Sequence, residues 1–384
     1  MRGGVGIGVL AAGSGVDCSP INANNTSAPF VPTKIPGCVL WCETDTTAHP
    51  TAVVYRSSTL LDGNMELANT TNWPGWDPAN ITKDTTDPHG GTRCLMMSNS
   101  GGAPVTGYVY QAGVFLASDW YTVSGWYKSS TAGVIQLYCG DTTNLTLPAA
   151  ATWTHFSRLM QCASGTALYL FVTQLAPGDW VRWDDLQTQP LAVSRLTDLS
   201  GAGNHPVQAV AAAQMLSVAS GAGVVVRSDG IAKYLAAAPY TANQPRTRYL
   251  LVKPTVQASA RTLIDGNAAN SGALKHKAGS TTTQCNAGSA FDGPALADAT
   301  WQIFRQTLNG ASSSIAINGG TPTVGDAGAG NPGGLYLGVG GGAAAGTFAV
   351  ADYAAVIDYA GAHNAATAAQ VEAYLTALKA RLSI

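Results

Sequence analysis

Hydrolysis of a glycosidic bond by the usual route needs two carboxylates facing each other across a cleft. This sequence is poor in such groups. Its 384 residues include three glutamates, Glu43, Glu66 and Glu372, and no E-x-D-x-E cluster. Asp184 and Asp185 are adjacent, and successive side chains on a strand point to opposite faces, so they do not form a facing pair. No G-x-S-x-G elbow or H-E-x-x-H helix is present. Six histidines are scattered singly and none of the seven cysteines forms a C-x-x-C pair, which argues against zinc. The glycines from Gly338 to Gly342 do not form a nucleotide fingerprint between a strand and a helix. The expectation is a protein that is not an enzyme.

Sugar binding asks for other residues. Flat rings stack on the apolar C–H face of a pyranose, and polar neighbours hold its hydroxyls. The candidates are Trp73, Trp76, Trp120 and Tyr121, each with a core role as its competitor. Trp126, near Val123 and Gly125, is read as core. Residues 57 to 190 hold seven of the nine Trp and six of the fourteen Tyr, so this stretch reads as a unit with its own composition.

The cysteines are Cys18, Cys38, Cys42, Cys94, Cys139, Cys162 and Cys285. Two readings stay open, buried free thiols or disulfides in an oxidising setting. In the second, Cys18 suits an intermolecular bridge, and Cys139 and Cys162, on successive candidate strands, could be cross-strand partners.

These groups need elements to position them. Charged residues are 11% of the chain and hydrophobic residues 46%, with 44 Gly and 19 Pro. That is too apolar for disorder. The net charge of -2 recruits no nucleic acid. No run approaches the roughly 20 apolar residues of a membrane span. Short apolar or alternating runs separated by turn residues predict strands almost throughout. Among them are residues 107–114, 121–127, 134–139, 154–160, 167–173 and 180–183. One helix is predicted near the C-terminus, capped by Asn364, with Val371, Tyr374, Leu375, Leu378 and Leu382 at helical spacing. Residues 1–34 show no sustained period and read as an extended arm, whose ordering requires a surface to lie on, such as a neighbouring subunit. The opening MRGGVGIGVL is a weak, glycine-broken secretory signal, and cleavage is not expected.

Two stretches resemble known families. Leu60–Glu66 (LLDGNME), Trp73-Pro74-Gly75-Trp76, Tyr121–Tyr127 (YTVSGWY) and Trp183–Leu186 (WDDL) resemble the carbohydrate-binding modules of the family 4/9, galactose-binding-like type. The resemblance implies a jelly roll over residues 57–190. It also implies a structural Ca²⁺ where first and last strands meet, with Glu66 and Asp185 as ligands. Leu196–His205 (LTDLSGAGNH), Ser228–Leu235 (SDGIAKYL), Arg248–Pro254 (RYLLVKP) and the C-terminal helix resemble the concanavalin A-like (laminin G-like) jelly rolls common in phage structural proteins. Their usual opening strand fits Ile35–Trp41 (IPGCVLW), far upstream, so the simplest account is an insertion.

The expected fold is all-β, with two jelly-roll β-sandwiches, one inserted in the other, an extended N-terminal arm and one C-terminal helix. The expected domains are the arm (1–34), a laminin G-like jelly roll (35–56 plus 191–384) and the inserted module (57–190). The leading functional expectation is a virion structural protein of a tailed phage, on the particle surface. It decorates a capsid or appendage through its arm, as an oligomer contacting other virion proteins, and displays jelly rolls that bind host-surface glycans. The alternative is a secreted or cell-surface carbohydrate-binding protein. A tail-spike-like depolymerase is disfavoured by the shortage of Glu.

Overall fold

The computed structural model describes residues 30–384 apart from 57, 77–79, 117–119, 131–133, 140–144, 162–165 and 238. It is almost entirely antiparallel β-structure with one α-helix. The strands fall into two pairing sets.

The first set lies between residues 75 and 190. In chain order it comprises, after β1 (Cys38–Glu43) and β2 (Val53–Tyr55), the strands β3 (Gly75–Trp76), β4 (Asn80–Asp84), β5 (Cys94–Ser98), β6 (Val105–Gln111) and β7 (Trp120–Ser129). It continues with β8 (Val134–Cys139), β9 (Leu145–Leu147), β10 (Thr154–Gln161), β11 (Leu168–Leu175) and β12 (Trp180–Pro190). These make two five-stranded sheets, β3-β6-β11-β8-β9 and β10-β7-β12-β5-β4. Side chains alternate, as a strand with one solvated face requires. In β7, Tyr121, Val123, Gly125 and Tyr127 point inward while Thr122, Ser124 and Trp126 do not. Trp126 is therefore not core, contrary to expectation, because its parity is opposite to that of Val123 and Gly125. The inner faces share one apolar cluster that includes Trp73, Phe115, Tyr121, Tyr127, Phe156 and Trp183.

The second set is a single continuous network. β1 pairs with the long strand Val350–Ala360 (Trp41↔Ile357), and β2 pairs with β13 (Ala192–Leu196) through Val53↔Leu196. The short β14 (Pro206–Val207) follows, then the ribbon of β15 (Met215–Ser220) and β16 (Gly223–Asp229). In the sequence, the first set thus interrupts the second. Strands Arg246–Thr255 and Val350–Ala360 are buried along most of their length. Leu250, Val252, Tyr353 and Val356 enter one core cluster, while Tyr249, Leu251, Ile357 and Tyr359 enter another under the helix. Burial on both faces explains their near-continuous apolar runs.

The helix α1 spans Ala365–Arg381, and Asn364 Oδ1 accepts a bond from Thr367 N. Val371, Tyr374, Leu375, Leu378 and Leu382 pack against the sheet together with Trp41 and Phe30. No helix among the described residues is long and apolar enough to cross a membrane. Within the second set, Asp358 is fully buried between two arginines. It accepts from Arg246 Nε at 2.5 Å, Arg248 Nε at 3.3 Å and the Tyr240 hydroxyl at 2.9 Å.

Cys38, Cys42, Cys94 and Cys285 are free thiols. Burial pushes Cys38 and Cys94 up to about 12 and Cys285 up to about 11, so they are poor nucleophiles. Cys18 and Cys162 lie outside the described residues, as does the Cys139 side chain and most of the expected arm. β8 and β10 belong to opposite sheets. The expected pairing of Cys139 with Cys162 falls outside the described residues.

Candidate functional site

Of the four rings singled out in the sequence, two are core. Trp73 is 0% exposed, and its indole N–H donates to Asp62 O at 3.3 Å. Tyr121 is 1% exposed, and its hydroxyl accepts from Leu116 N at 2.8 Å and from Arg56. Neither has a face for a sugar, because both fill the space between the sheets. Trp120 is half-buried and lies where the two strand sets meet. The backbone of Trp76 pairs with Tyr108, while its side chain lies outside the described residues. Trp126 stacks on His89 at 3.9 Å between ring centroids, with planes 17° apart.

A different group of rings comes together on the outer face of the β3-β6-β11-β8-β9 sheet. In β6, Gly107, Val109 and Gln111 point inward, which turns Tyr108 and Tyr110 outward. In β11, Leu168, Leu170 and Val172 point inward, which turns Tyr169 and Phe171 outward. Ile135 and Leu137 of β8 are buried, leaving Gln136 and Tyr138 half-buried on the other face. Register then places the rings side by side, with Tyr110 opposite Tyr169 and Tyr108 opposite Phe171. On the other flank of β11, Tyr138 lies opposite Tyr169 and Gln136 opposite Phe171.

The rings form one contiguous surface. Tyr110 and Tyr169 stack at 5.5 Å and 24°, and Tyr108 and Phe171 at 5.9 Å and 12°. Tyr108 meets Tyr169 edge-on at 5.4 Å, and Tyr138 tilts against Phe171 at 5.3 Å. The Tyr138 hydroxyl donates to Gln136 Oε1 at 3.0 Å. None of the five strands contains an Asp, Glu, Lys or Arg. The opposite sheet carries Lys83, Asp84, Lys128, Arg158, Arg182, Asp184 and Asp185 on its strands. Among the strands of this sandwich, charge is thus confined to one sheet. Sequence reasoning missed the five rings by favouring Trp. The available signal was the alternation in T-G-Y-V-Y-Q and L-Y-L-F-V-T.

The pair expected to hold Ca²⁺ lies around the loop Asp87–Arg93. Glu66 accepts from the Thr92 hydroxyl at 2.7 Å, Thr92 N at 2.8 Å and Arg93 N at 3.1 Å. These bonds from Thr92 and Arg93 hold its carboxyl below the usual range. Asp185, at a β-bulge and with φ of 47°, pairs with His89 Nδ1 at 2.8 Å. Asp184 is fully buried and accepts from His89 N, Gly90 N and Asp185 N. Burial pushes its carboxyl up despite these bonds. Gly91 is required beside Glu66, since a Cβ there would lie 2.1 Å from Oε1.

Ca²⁺ takes six to eight oxygen ligands. No group of three or more His, Cys, Asp or Glu suited to a metal occurs among the described residues. In this arrangement Glu66 accepts from Thr92 and Arg93 and Asp185 pairs with His89. What the geometry supplies here is a latch closing the 87–93 loop onto both ends of the module.

No protein-family model and no curated protein matches the chain. Among solved structures, the chain is similar to the carbohydrate-binding module TmCBM61 in complex with β-1,4-galactotriose. That match has a TM-score of 0.29 and 15% identity, and covers 35% of this chain and 98% of that one. It is also similar to the CBM22-1 xylan-binding domain of Paenibacillus barcinonensis Xyn10C, at a TM-score of 0.29 and 14% identity, over 36% and 96% of the two chains. A third similarity is to the enzymatically active domain of bacteriophage CBA120 tailspike protein 4, at a TM-score of 0.28 and 12% identity, over 35% of this chain and 21% of that one.

Proposed function

We propose that this protein binds neutral polysaccharide on the outer face of the β3-β6-β11-β8-β9 sheet, without cleaving it. The observation that carries the reading is the contiguous surface of Tyr108, Tyr110, Tyr138, Tyr169 and Phe171, on three strands of a five-stranded sheet whose strands contain no charged residue. Ring faces supply the stacking a pyranose needs, and hydroxyls and the Gln136 amide supply orientation. Strands without a cationic side chain do not select carboxylated or sulfated glycans. The shortage of Glu in the sequence supports binding without hydrolysis.

In this reading residues 57–190 are a binding module inserted into the unit built from 35–56 and 191–384. A secreted or cell-surface carbohydrate-binding protein fits the ring surface better than virion decoration does, because the surface requires neither the arm nor a particle. The test is retardation in native gels containing xylan, β-glucan or galactan, beside polygalacturonate as the acidic control. Retardation by a neutral polymer, lost in Tyr169→Ala plus Phe171→Ala, is expected. No retardation by any neutral polymer, or retention by that double variant, overturns the site. Release of reducing ends overturns the non-enzymatic part.

A further inference from the structure

The two strand sets meet at a cleft of about 740 Å³. Its apolar wall is Trp120, Leu159, Leu191, Leu216, Val218 and Val224. Leu159 is 58% exposed on that wall.

One side of the cleft is a strand edge. β15 pairs with β16 from Leu216 to Ser220, but with β13 only at Met215 and Leu216. Ser217 N donates to Leu191 O at 2.7 Å, on the side away from β16. Along an antiparallel strand, alternate residues direct both N–H and C=O to the same neighbour. Ala219, two residues on, therefore turns its N–H and C=O to that same side, into the cleft. From Val218 to Ser220 the strand has a neighbour on one side only among the described residues. An open edge in an apolar cleft is what an added strand uses.

The chain outside the described residues contains a segment of matching chemistry. Gly4-Val5-Gly6-Ile7-Gly8-Val9 alternates glycine with β-branched residues, a short period of two. In an extended backbone it would present Val5, Ile7 and Val9 on one face, toward Trp120 and Leu159. The glycines on the other face would permit close approach. The tether also fits. Phe30 packs on Tyr374 of α1 at 5.9 Å, and belongs to the same apolar cluster as Val218 and Leu382. Ala222, in the β15–β16 turn, donates to Leu382 O at 2.8 Å. The described chain therefore starts on the side of the molecule where this ribbon lies. Residues 10–29 between the segment and Phe30 number twenty, enough to reach about 66 Å when extended at roughly 3.3 Å each.

We propose that Gly4–Val9 adds as a strand to the Val218–Ser220 edge of its own chain, filling the junction cleft and fastening the two strand sets together. The inference goes beyond the glycan reading and does not depend on it.

The test is amide hydrogen exchange on the full chain, comparing wild type with Ile7→Asp. Position 7 lies outside both described cores, so an unchanged thermal midpoint for the core separates docking from folding. The expected result is exchange at Ala219 at least about tenfold faster in Ile7→Asp, with the same gain in Leu159→Lys, which alters the opposite wall. Equal exchange at Ala219 in wild type and Ile7→Asp overturns the proposal. So does a wild-type dimer that Ile7→Asp dissolves, since the occupant would then be a second copy. Retardation by neutral polysaccharide is expected to be the same in wild type and Ile7→Asp, and its loss in Ile7→Asp would also overturn the proposal. A failure at Ala219 with retardation intact leaves the aromatic face unaffected.

Discussion

Asp358→Asn is expected to be among the most damaging single substitutions in the protein. It keeps the shape of the side chain and removes its charge. Asp358 pairs with both Arg246 and Arg248, and all three side chains are 0% exposed. Removing one partner of a buried ion pair costs about 3–5 kcal/mol, because the other charge stays buried. The two arginines do not suffer equally. Arg248 keeps Gly272 O and Gly334 O, each at 3.0 Å from its terminal nitrogens. Arg246 makes its described charged contact through Nε to Asp358 alone. A loss near the middle of the range, about 4 kcal/mol, follows. For a cooperative unit of roughly 200 residues, each kcal/mol lowers Tm by about 2–4 °C, giving a fall of about 8–16 °C. Differential scanning calorimetry would read it, in the transition of the unit containing α1 if the two strand sets melt separately. The double variant Asp358→Asn plus Arg246→Leu should recover part of the loss, since it removes the stranded charge. A shift below about 3 °C, or a double variant less stable than additivity predicts, would refute the assignment of the cost to Arg246.

Four further outcomes are expected. Tyr169→Ala plus Phe171→Ala should leave Tm nearly unchanged and weaken glycan binding about tenfold or more, whereas Trp73→Ala should cost about 3–5 kcal/mol of stability as a core deletion; calorimetry and affinity electrophoresis on the same samples separate the two. Burial raises the Asp352 carboxyl, but hydrogen bonds from Arg227 and Lys253 override it and hold it below its ordinary 3.8. Its stabilisation is therefore present above pH 3.8 and lost as pH falls through the lower folded value, so the gap in urea midpoint between wild type and Asp352→Asn should be widest at neutral pH and close in acid. Gly91→Ala should cost at least about 1–2 kcal/mol, since φ is +59° and the new Cβ displaces Glu66 from Thr92, and faster exchange at the Thr92 and Arg93 amides would locate the damage. A structural Ca²⁺ would require Glu66 to leave Thr92 and Asp185 to leave His89, so millimolar CaCl₂ should leave Tm unmoved; a rise that Asp185→Asn abolishes would restore the calcium reading.

Much of the scaffold could be read directly. The helix follows from Asn364 and the spacing of Val371, Tyr374, Leu375 and Leu378, and the structure places its cap and apolar stripe there. Strands such as Val134–Cys139 and Trp120–Ser129 follow from apolar or alternating runs. The strands Ser271–His276 and Thr282–Ala287 were not expected. Their inward positions include Ala273, Thr283, Cys285 and Ala287, residues too small or too polar to register as an apolar run. Asn80–Asp84 escaped for another reason. It is an edge strand with one neighbour, so four of its five positions can be polar or partly exposed.

The binding residues were harder to read because type and parity carry different information. A Trp in a sandwich advertises a large apolar surface, which the core claims first, and Trp73 and Trp183 went there. Parity decides the remainder. Once Val109 and Leu170 are assigned inward, Tyr108, Tyr110, Tyr169 and Phe171 must face outward, and antiparallel register brings them opposite one another. The same parity turns Trp126 out onto the charged sheet, where it stacks on a histidine held by Asp185 instead of joining the uncharged rings. Two aromatic groups on the two outer faces of one sandwich therefore have different chemistry. The one without charged strands is the one that can accept a neutral ring without first breaking an ion pair.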